Sequence, residues 1–397
     1  MSQMSVKRFN SRYMRWAAAR AATTVFPVLH RQVPMYRDTV RLPDAGRTEF
    51  LEETQTLSLS PAEAQAAERT PYGVPSAVTR SIALVSLEGA TVLGNTGAVI
   101  DEARRNLIVR RDGRAYGSYH ELRGETTARI VKKEGVYFNM LGPHVGHRHY
   151  FHFLIDYLPR LYYFLECFPE GRGPVTVLLN EDISATQSAM YGALAAQYRN
   201  VRFEAVPRRE RWTLPVLYHI DDVQTSPECR VAVQRTLMSP AVLQFLRDTA
   251  FAACNFTPDQ RGGRRLYLSR NDAKSRRILN EAAFEDALTR NGFQTVLPGT
   301  MTFEEQVSLF NQANVICGAH GAALTNMLFA PPGAHIIEIL PDDRRKATYL
   351  MLAKSAGHSY EGITGGPGGY RQHFTADAAQ VSAALDMADD IVRTRAA

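Results

Sequence analysis

A run of polar and ionisable residues between His149 and Arg160 has a spacing that suits proton transfer. At about 100° per residue, four side chains gather within a quarter-turn of one helical face, opposite Leu154, Ile155, Leu158 and Leu161: His149, His152, Asp156 and Arg160. An Asp one turn after a His can accept its ring N–H, fix its tautomer and support the imidazolium. The spacing therefore predicts that His152 and Asp156 form a general-base pair on a helix. The alternative is an exposed helix face whose charges only tune helix stability.

Histidine is concentrated around this run, so a metal site is an alternative interpretation. His144 and His147 precede His149 and His152, and Asp156 follows within one helical turn. A set of two histidines and one carboxylate is an established ligand combination for transition metals. An enzyme that uses such a metal is therefore a competing hypothesis.

A second candidate site follows a β-rich segment that ends at Ser269. Four cations come within the next eight residues, before Asn280 can cap a helix: Arg270, Lys274, Arg276 and Arg277. Loops at the carboxyl edge of a parallel sheet are where such sheets bind ligands. Arginine suits a diphosphate because its planar group donates paired hydrogen bonds and keeps its charge. A solvated basic loop is the alternative.

The third candidate is a strand, helix, strand unit in residues 313–341. Its first apolar run stops at Gly318, turns through His320 and Gly321, and restarts as a helix-compatible segment that ends at Phe329. Small residues at such a turn let a ligand approach the backbone, and free N–H groups at a helix start favour an anion. This pattern predicts a phosphate-binding turn, with a tight structural turn around a half-buried histidine as the alternative. Glu338 in the following strand could accept hydrogen bonds from a ribose or from structural donors.

Alternating helical and strand patterns must position these residues. The alternation runs from about residue 141 to 246 and resumes from 265 to 341, which indicates two α/β halves with parallel sheets and crossover helices. Short β-branched segments between residues 81 and 109 predict a hairpin-rich layer before the main fold. We therefore expect a basic arm and surface connection over residues 1–78, one α/β domain over 79–249, and a second over 250–397 with a terminal helix.

Composition indicates a globular protein with ordinary apolar content. The chain has 397 residues, 45% of them hydrophobic and 22% charged, with a net charge of +6. That mild excess fits phosphorylated substrates and is weak support for nucleic acid binding, so no nucleic acid partner is expected. Four scattered cysteines form no metal or redox spacing, which favours a reducing compartment.

The N-terminal arm is basic and partly amphipathic. It has no acid before Asp38, and its cations include Lys7, Arg8, Arg12, Arg15, Arg20 and Arg31. No apolar run reaches the ~18 residues that span a bilayer, and no signal-peptide core is evident. We expect a cytoplasmic protein whose arm could contact the inner face of an anionic membrane, with a solvated helix or frayed tail as the alternative.

Taken together, the three stretches resemble glycosyltransferase family 61, including the type found in bacterial capsule and surface-polysaccharide biosynthesis. The ordered motifs are the run from His152 to Arg160, the block from Ser269 to Glu281, and the segment from Gly318 to Ala322 with Asn326 and Glu338. The resemblance extends over roughly residues 80 to 345.

This resemblance implies a GT-B arrangement, in which two Rossmann-like domains face a cleft. It also implies inverting transfer from a nucleotide sugar, usually uridine-linked, to a hydroxyl of a surface polysaccharide or lipid-linked glycan, with no obligatory metal or other cofactor. The transferred unit would be a hexose, a pentose or an N-acetylhexosamine. By position, His152 and Asp156 would be catalytic, with His149 and Arg160 on the acceptor side. The donor would bind to Ser269, Arg270, Arg276, Arg277, His320, Gly321, Ala322, Asn326 and Glu338.

The chemistry of the residues agrees with this implication. Inverting transfer needs a base for the acceptor hydroxyl and fixed positive charge for the departing diphosphate. A nucleotide-sugar epimerase or hydrolase on the same scaffold is a competing hypothesis, as is a silent glycan- or nucleotide-binding protein.

Overall fold

The structure is a computed structural model. It describes residues 38–41, 47–51, 56–57, 77–78, 82–94, 96–103, 106–109, 128–142, 149–168, 172–220, 238–258, 262–344 and 347–396. The expected basic arm (residues 1–37), His144, His147 and Cys229 lie outside these residues.

Seventeen strands are present in the described residues, and the first twelve lie between residues 38 and 220. They are β1 Asp38–Arg41, β2 Arg47–Leu51, β3 Thr56–Leu57, β4 Ala77–Val78, β5 Ile82–Leu93, β6 Val99–Asp101, β7 Asn106–Val109, β8 Arg129–Lys132, β9 Val136–Asn139, β10 Val175–Asn180, β11 Val201–Val206 and β12 Glu210–Ile220. Ten of these form one mixed sheet in the order β1-β7-β6-β5-β12-β9-β10-β11, with β2 on β5 and β8 on β12, while β3 and β4 pair separately.

The N-terminal strands differ from the expected separate layer. β5, β6 and β7 do form antiparallel neighbours, but the long strand β5 also pairs with β12 over most of its length. The hairpin strands and the α/β half therefore share one sheet. The expected surface connection over residues 45–78 is also partly wrong, because β2 adds to β5 as a strand. Pairing satisfies backbone groups that a solvated connection would leave to water.

The α/β alternation of the first half is confirmed. Between β9 and β10 runs a continuous helical segment: a first turn α1 (Tyr150–His152), a π-helical stretch (Phe153–Tyr157) and the helix α2 (Leu158–Cys167). Helix α3 (Ala185–Gln197) connects β10 to β11 and begins with a capping box in which Ser184 and Gln187 bond reciprocally. The pairs β9–β10 and β10–β11 are parallel. The helical segment that carries His152 therefore follows the carboxyl end of β9.

The second half forms a five-stranded sheet that is parallel throughout. Its strands are β13 Arg264–Leu268, β14 Phe293–Val296, β15 Ala313–Ala319, β16 His335–Leu340 and β17 Ser359–Thr364. Their order is β14-β13-β15-β16-β17, so the winding direction reverses between β13 and β15. Crevices at such a reversal, outside the carboxyl ends of the strands, are the usual ligand sites of doubly wound sheets.

The helices of this part of the chain precede, connect and follow the strands of the second sheet. They are α4 Pro240–Ala253, α5 Glu285–Arg290, α6 Phe303–Asn311, α7 Thr348–Ser355 and α8 Ala378–Ala396, with short 3₁₀ helices at Glu281–Phe284, Pro298–Thr300, Ala322–Phe329, Asp342–Arg344 and Tyr370–Gln372. Helix α4 extends past the expected boundary between residues 249 and 250. One hydrophobic cluster contains side chains from both sheets, including Phe138, Phe164, Leu266 and Phe329. The division into two domains stays a prediction.

Candidate functional site

His152 and Asp156 form a hydrogen-bonded pair on the helical segment after β9. His152 Nδ1 and Asp156 Oδ2 are 2.6 Å apart, and the two side chains are 34% and 12% exposed. With Nδ1–H donated to the carboxylate, Nε2 is the nitrogen that can accept a proton. This geometry is the one that the sequence predicts for a general base and its orienting acid.

Fewer polar side chains are exposed on this helix face than the sequence predicts. His149 is exposed and its ring centroid lies 5.9 Å from that of His152. Arg160, however, is only 2% exposed, donates from Nε to the backbone oxygen of Asp156, and lies over the ring of Tyr157. The acceptor-side role of Arg160 stays a prediction, and in these contacts its buried guanidinium supports the helix from within.

The winding reversal brings the basic loop against the glycine turn. Arg270 follows β13, and His320 and Gly321 follow the neighbouring strand β15. A β-carbon built on Gly321 would lie 1.9 Å from Nη1 of Arg270. Two of the three stretches found in the sequence therefore meet at the ligand-binding edge of the second sheet. Ala322 opens the 3₁₀ helix that begins at this turn and is partly exposed.

Positive charge is concentrated at this edge of the second sheet. Burial, together with the charge of Arg276, lowers the pKa of Arg270. The Nε atoms of Arg270 and Arg277 are buried without a hydrogen-bond partner among the described residues, and neither guanidinium makes an ion pair there. Buried donors without acceptors are costly. A bound anion would supply acceptors and relieve the repulsion between Arg270 and Arg276.

The arginine loop is held by internal contacts. Ser269 is buried and donates to Glu281 Oε2 at 2.9 Å, and Nη2 of Arg270 donates to the Ser275 backbone oxygen at 3.0 Å. Asn280 does not cap the next helix, contrary to expectation, because its side chain bonds both the N–H and the carbonyl of Ala376. Ser269 therefore shapes the loop, while Arg270, Arg276 and Arg277 remain the candidate anion ligands.

His320 has a carboxylate partner of its own. Its Nδ1 bonds Oε1 of Glu338, whose Oε2 accepts from the hydroxyl of Tyr360 at 2.7 Å. Glu338 is fully buried and His320 is 7% exposed. Burial and the neighbouring Glu338 raise the pKa of Tyr360 far above its usual range. Of the two roles that the sequence left open for Glu338, the geometry favours structural donors over a ribose.

Asn326 serves as a bridge between the two halves. It is fully buried, accepts from the hydroxyl of Tyr150 and donates to Gln306 Oε1 at 2.7 Å. Both ends of its amide are thus engaged inside the protein. We therefore reassign Asn326 from the expected donor contact to the contact between the 3₁₀ helix and α1.

A row of ring contacts joins the two histidine–carboxylate pairs. The ring of Phe151 lies 5.3 Å from that of His152 and 5.9 Å from that of Tyr349, and Tyr349 lies 5.2 Å from His320. Burial raises the pKa of Tyr349, while the charges of Arg276 and Arg270 act in the opposite direction. Ring contacts therefore connect the His152–Asp156 pair to His320 in the glycine turn, which adjoins Arg270.

Sequence reasoning missed Tyr349 and Tyr360, which complete this site. Tyr349 lies in an apolar segment, where a tyrosine is typical of a core, and the partners of both tyrosines are distant in the chain. Among the described residues, no group of three or more His, Cys, Asp and Glu side chains is placed to hold a metal ion. Within the described part of the chain, no helix combines the length and apolar character needed to cross a membrane.

Comparison with known proteins adds independent information about this region. Residues 150–337 match the family model described as Glycosyltransferase 61, and this range includes His152, the arginine loop and the glycine turn. A β-1,2-xylosyltransferase of Arabidopsis thaliana is 28% identical over 109 residues. That match covers 27% of this chain and 19% of the plant protein, so it spans about a fifth of the relative's length. Over residues 150–337 the chain is therefore similar to glycosyltransferases of family 61.

Proposed function

We propose that this protein is an inverting glycosyltransferase that moves a sugar from a nucleotide sugar, most simply a uridine diphosphate sugar, to a hydroxyl group of a glycan. The observation that carries the proposal is the row of contacts from the His152–Asp156 pair to the His320 turn beside Arg270. It joins a proton acceptor to a concentrated positive site, and group transfer from a diphosphate needs both.

In this proposal His152 removes the proton of the acceptor hydroxyl through Nε2, while Asp156 holds Nδ1–H and supports the imidazolium. The acceptor oxygen forms a bond to the anomeric carbon as the bond from that carbon to the diphosphate oxygen breaks. The nucleoside diphosphate leaves with the electron pair. Arg270, Arg276 and Arg277 stabilise the charge that develops on it. Attack opposite to the leaving group inverts the anomeric configuration.

The same proposal includes the arrangement of the two halves, the acceptor, the location of the enzyme and the donor sugar. Two Rossmann-like halves facing a cleft, as in GT-B enzymes, would exclude water that would otherwise hydrolyse the donor. A surface polysaccharide or lipid-linked glycan is the proposed acceptor, in a cytoplasmic enzyme that works without a metal and whose basic arm contacts the inner membrane face. The xylosyl transfer in the name of the plant relative makes a pentosyl donor the first to try among hexosyl, pentosyl and N-acetylhexosaminyl donors.

The test begins with thermal shift measurements on the whole chain, using nucleoside diphosphates and their sugars with and without a chelator. Turnover is then measured on the donor that stabilises most, with and without glycan acceptors. We expect stabilisation by a nucleoside diphosphate and product formation that requires an acceptor. Conversion of the nucleotide sugar without acceptor would favour an epimerase or hydrolase instead. Loss of all turnover in chelator, restored by a divalent metal, would contradict the metal-independent mechanism.

A further inference from the structure

An exposed aromatic ring lies on a segment beyond the residues that match the family. Tyr370 is 77% exposed, the highest value among the exposed large hydrophobic side chains in the described part of the chain. It follows the glycine-rich stretch Gly365–Gly369 after β17. A single exposed aromatic is ordinary on a protein surface, so its neighbours decide whether it has a role.

The segment that carries Tyr370 is rigidly folded. Gly366 N–H donates to the Thr375 carbonyl at 2.8 Å, and Gly369 N–H donates to the His373 carbonyl at 2.8 Å. A β-carbon on Gly365 would lie 2.4 Å from the Thr375 carbonyl oxygen, so this close turn requires glycine there. The ring of Tyr370 is therefore presented to solvent by a fixed hairpin.

This hairpin is bonded to the arginine loop. Arg276 N–H donates to the Arg371 carbonyl at 3.1 Å, and Phe374 N–H donates to the Arg277 carbonyl at 3.1 Å. The Arg277 N–H in turn donates to Nδ1 of His373 at 3.0 Å. Tyr370 thus adjoins the proposed diphosphate ligands, although about a hundred residues separate them in sequence.

Backbone strain is concentrated in the same two segments. Among the described residues four that are not glycine have positive φ, and three of them lie here: Arg276 at 58°, Arg371 at 55° and Gln372 at 63°. Residues held in this region are destabilising, and they cluster at ligand clamps. The strained residues therefore lie in the arginine loop and in the hairpin that carries Tyr370.

From these contacts we infer that Tyr370 is the stacking platform for the nucleobase of the donor. The inference rests on the proposed function, because it places the nucleoside of a nucleoside diphosphate whose phosphates bind Arg270, Arg276 and Arg277. The guanidinium of Arg371 lies 5.2 Å from the centre of the Tyr370 ring, and the ring remains open to a second planar group. A base on that ring gains stacking energy whatever its identity, so the platform favours a nucleoside without selecting one base.

The test compares binding of uridine diphosphate with binding of inorganic pyrophosphate by titration calorimetry on the full chain. Tyr370→Ala should weaken uridine diphosphate binding roughly five- to hundredfold, and Tyr370→Phe should bind as the unchanged protein does. Pyrophosphate affinity should be the same in all three proteins. Leu279→Ala is the matched control, since Leu279 is 65% exposed on the adjoining segment and has no aromatic face. It should bind both ligands normally.

Other outcomes distinguish a failure of the stacking platform from a failure of the proposed function. If uridine diphosphate binds tightly and Tyr370→Ala leaves its affinity unchanged, the stacking platform is overturned while the transferase proposal stands. If Tyr370→Ala and Leu279→Ala both reduce binding to vesicles of anionic lipid without changing nucleotide affinity, the rim is a membrane contact and the inference is again overturned. If no nucleoside diphosphate binds the unchanged protein, the proposed function fails and the platform fails with it.

Discussion

Gly321 passes so close to Arg270 that a β-carbon on the glycine would lie 1.9 Å from Nη1 of the guanidinium. The two residues follow neighbouring parallel strands at the winding reversal of the second sheet. Because the obstructed atom is the tip of a long side chain, the fold can accommodate a methyl group by displacing the guanidinium.

Gly321→Ala should therefore fold normally and bind donor poorly. We expect nucleoside diphosphate affinity to fall about tenfold or more, since one charge-assisted hydrogen bond is misplaced. Gly192→Ala is the matched control, because Gly192 lies in helix α3 with no heavy atom within 4 Å of an added β-carbon. That variant should gain about 0.5–1 kcal/mol of stability and bind normally. Calorimetric titration checks both, and unchanged affinity in Gly321→Ala would contradict the placement of Arg270.

Substitutions in the His152–Asp156 pair should lower turnover and leave the donor affinity unchanged. His152→Ala removes the proton acceptor and should lower kcat by roughly 10²- to 10⁴-fold. Asp156→Asn keeps the shape and loses the charge that supports the imidazolium, so kcat should also fall. Glu166→Gln, an exposed carboxylate on α2, is the control and should leave kcat unchanged. Steady-state kinetics give kcat, and a separate titration gives the donor affinity. Full activity of His152→Ala would exclude His152 as the base.

Glu338 should matter for folding as well as for binding. It is fully buried and accepts from Tyr360 while bonding His320. Glu338→Ala leaves both partners without an acceptor, and we expect the free energy of unfolding to fall by about 2–4 kcal/mol. Tyr360→Phe removes one hydroxyl and should cost about 1 kcal/mol. Urea unfolding provides the values, with Glu88→Gln at an exposed position of β5 as the neutral reference. A Glu338→Ala protein of normal stability would show that these contacts are dispensable.

Acid should destabilise the fold through two buried histidines. Burial, and then the charge of Arg160, lowers the pKa of His219 to about 3, and burial likewise lowers the pKa of His358 to about 4. Both stay neutral in the folded protein, whereas the unfolded chain binds protons below about pH 6.5. The unfolded state thus holds more protons in that window, so stability is complete above pH 6.5 and falls as the pH is lowered toward 4. At pH 5 each histidine should cost about 2 kcal/mol.

His358→Gln separates this effect from general acid denaturation. Nε2 of His358 bonds the Met327 carbonyl, and a glutamine amide can donate to the same oxygen. Between pH 7 and pH 5 this variant should lose about 2 kcal/mol less of its unfolding free energy than the unchanged protein. Identical losses in the two proteins would show that His358 does not titrate on unfolding.

The regular elements around the site follow from local patterns in the sequence. The helix after residue 149, the strand at Val175–Asn180 and the capped helix after Thr302 are predicted close to their observed positions, because periodicity and capping act within a few residues. His152 and Asp156 are likewise a local pair, so their hydrogen bond can be anticipated from spacing.

The contacts that complete the site depend on distant parts of the chain. The resemblance implies that Asn326 binds the donor, whereas in the fold it accepts a hydrogen bond from Tyr150, 176 positions away. Arg160 reads as an exposed cation because its ring partner and its buried surroundings come from packing. No periodic pattern in the sequence identifies Tyr349 or Tyr370 as a site residue. Their positions near the site depend on the order of the strands and on the pairing between loops. The spacing of residues along one helix or strand carries no information about these contacts between distant parts of the chain.

The π-helical stretch Phe153–Tyr157 holds one residue more per turn than the α-helical parts on either side of it. Because the wider turn absorbs the extra residue, the flanking parts keep nearly the relative rotation of a regular helix. On one side Tyr150 reaches Asn326, and on the other α2 buries its apolar side. A single-codon deletion within Phe153–Ile155 should therefore preserve both flanking contacts and move Asp156 relative to His152.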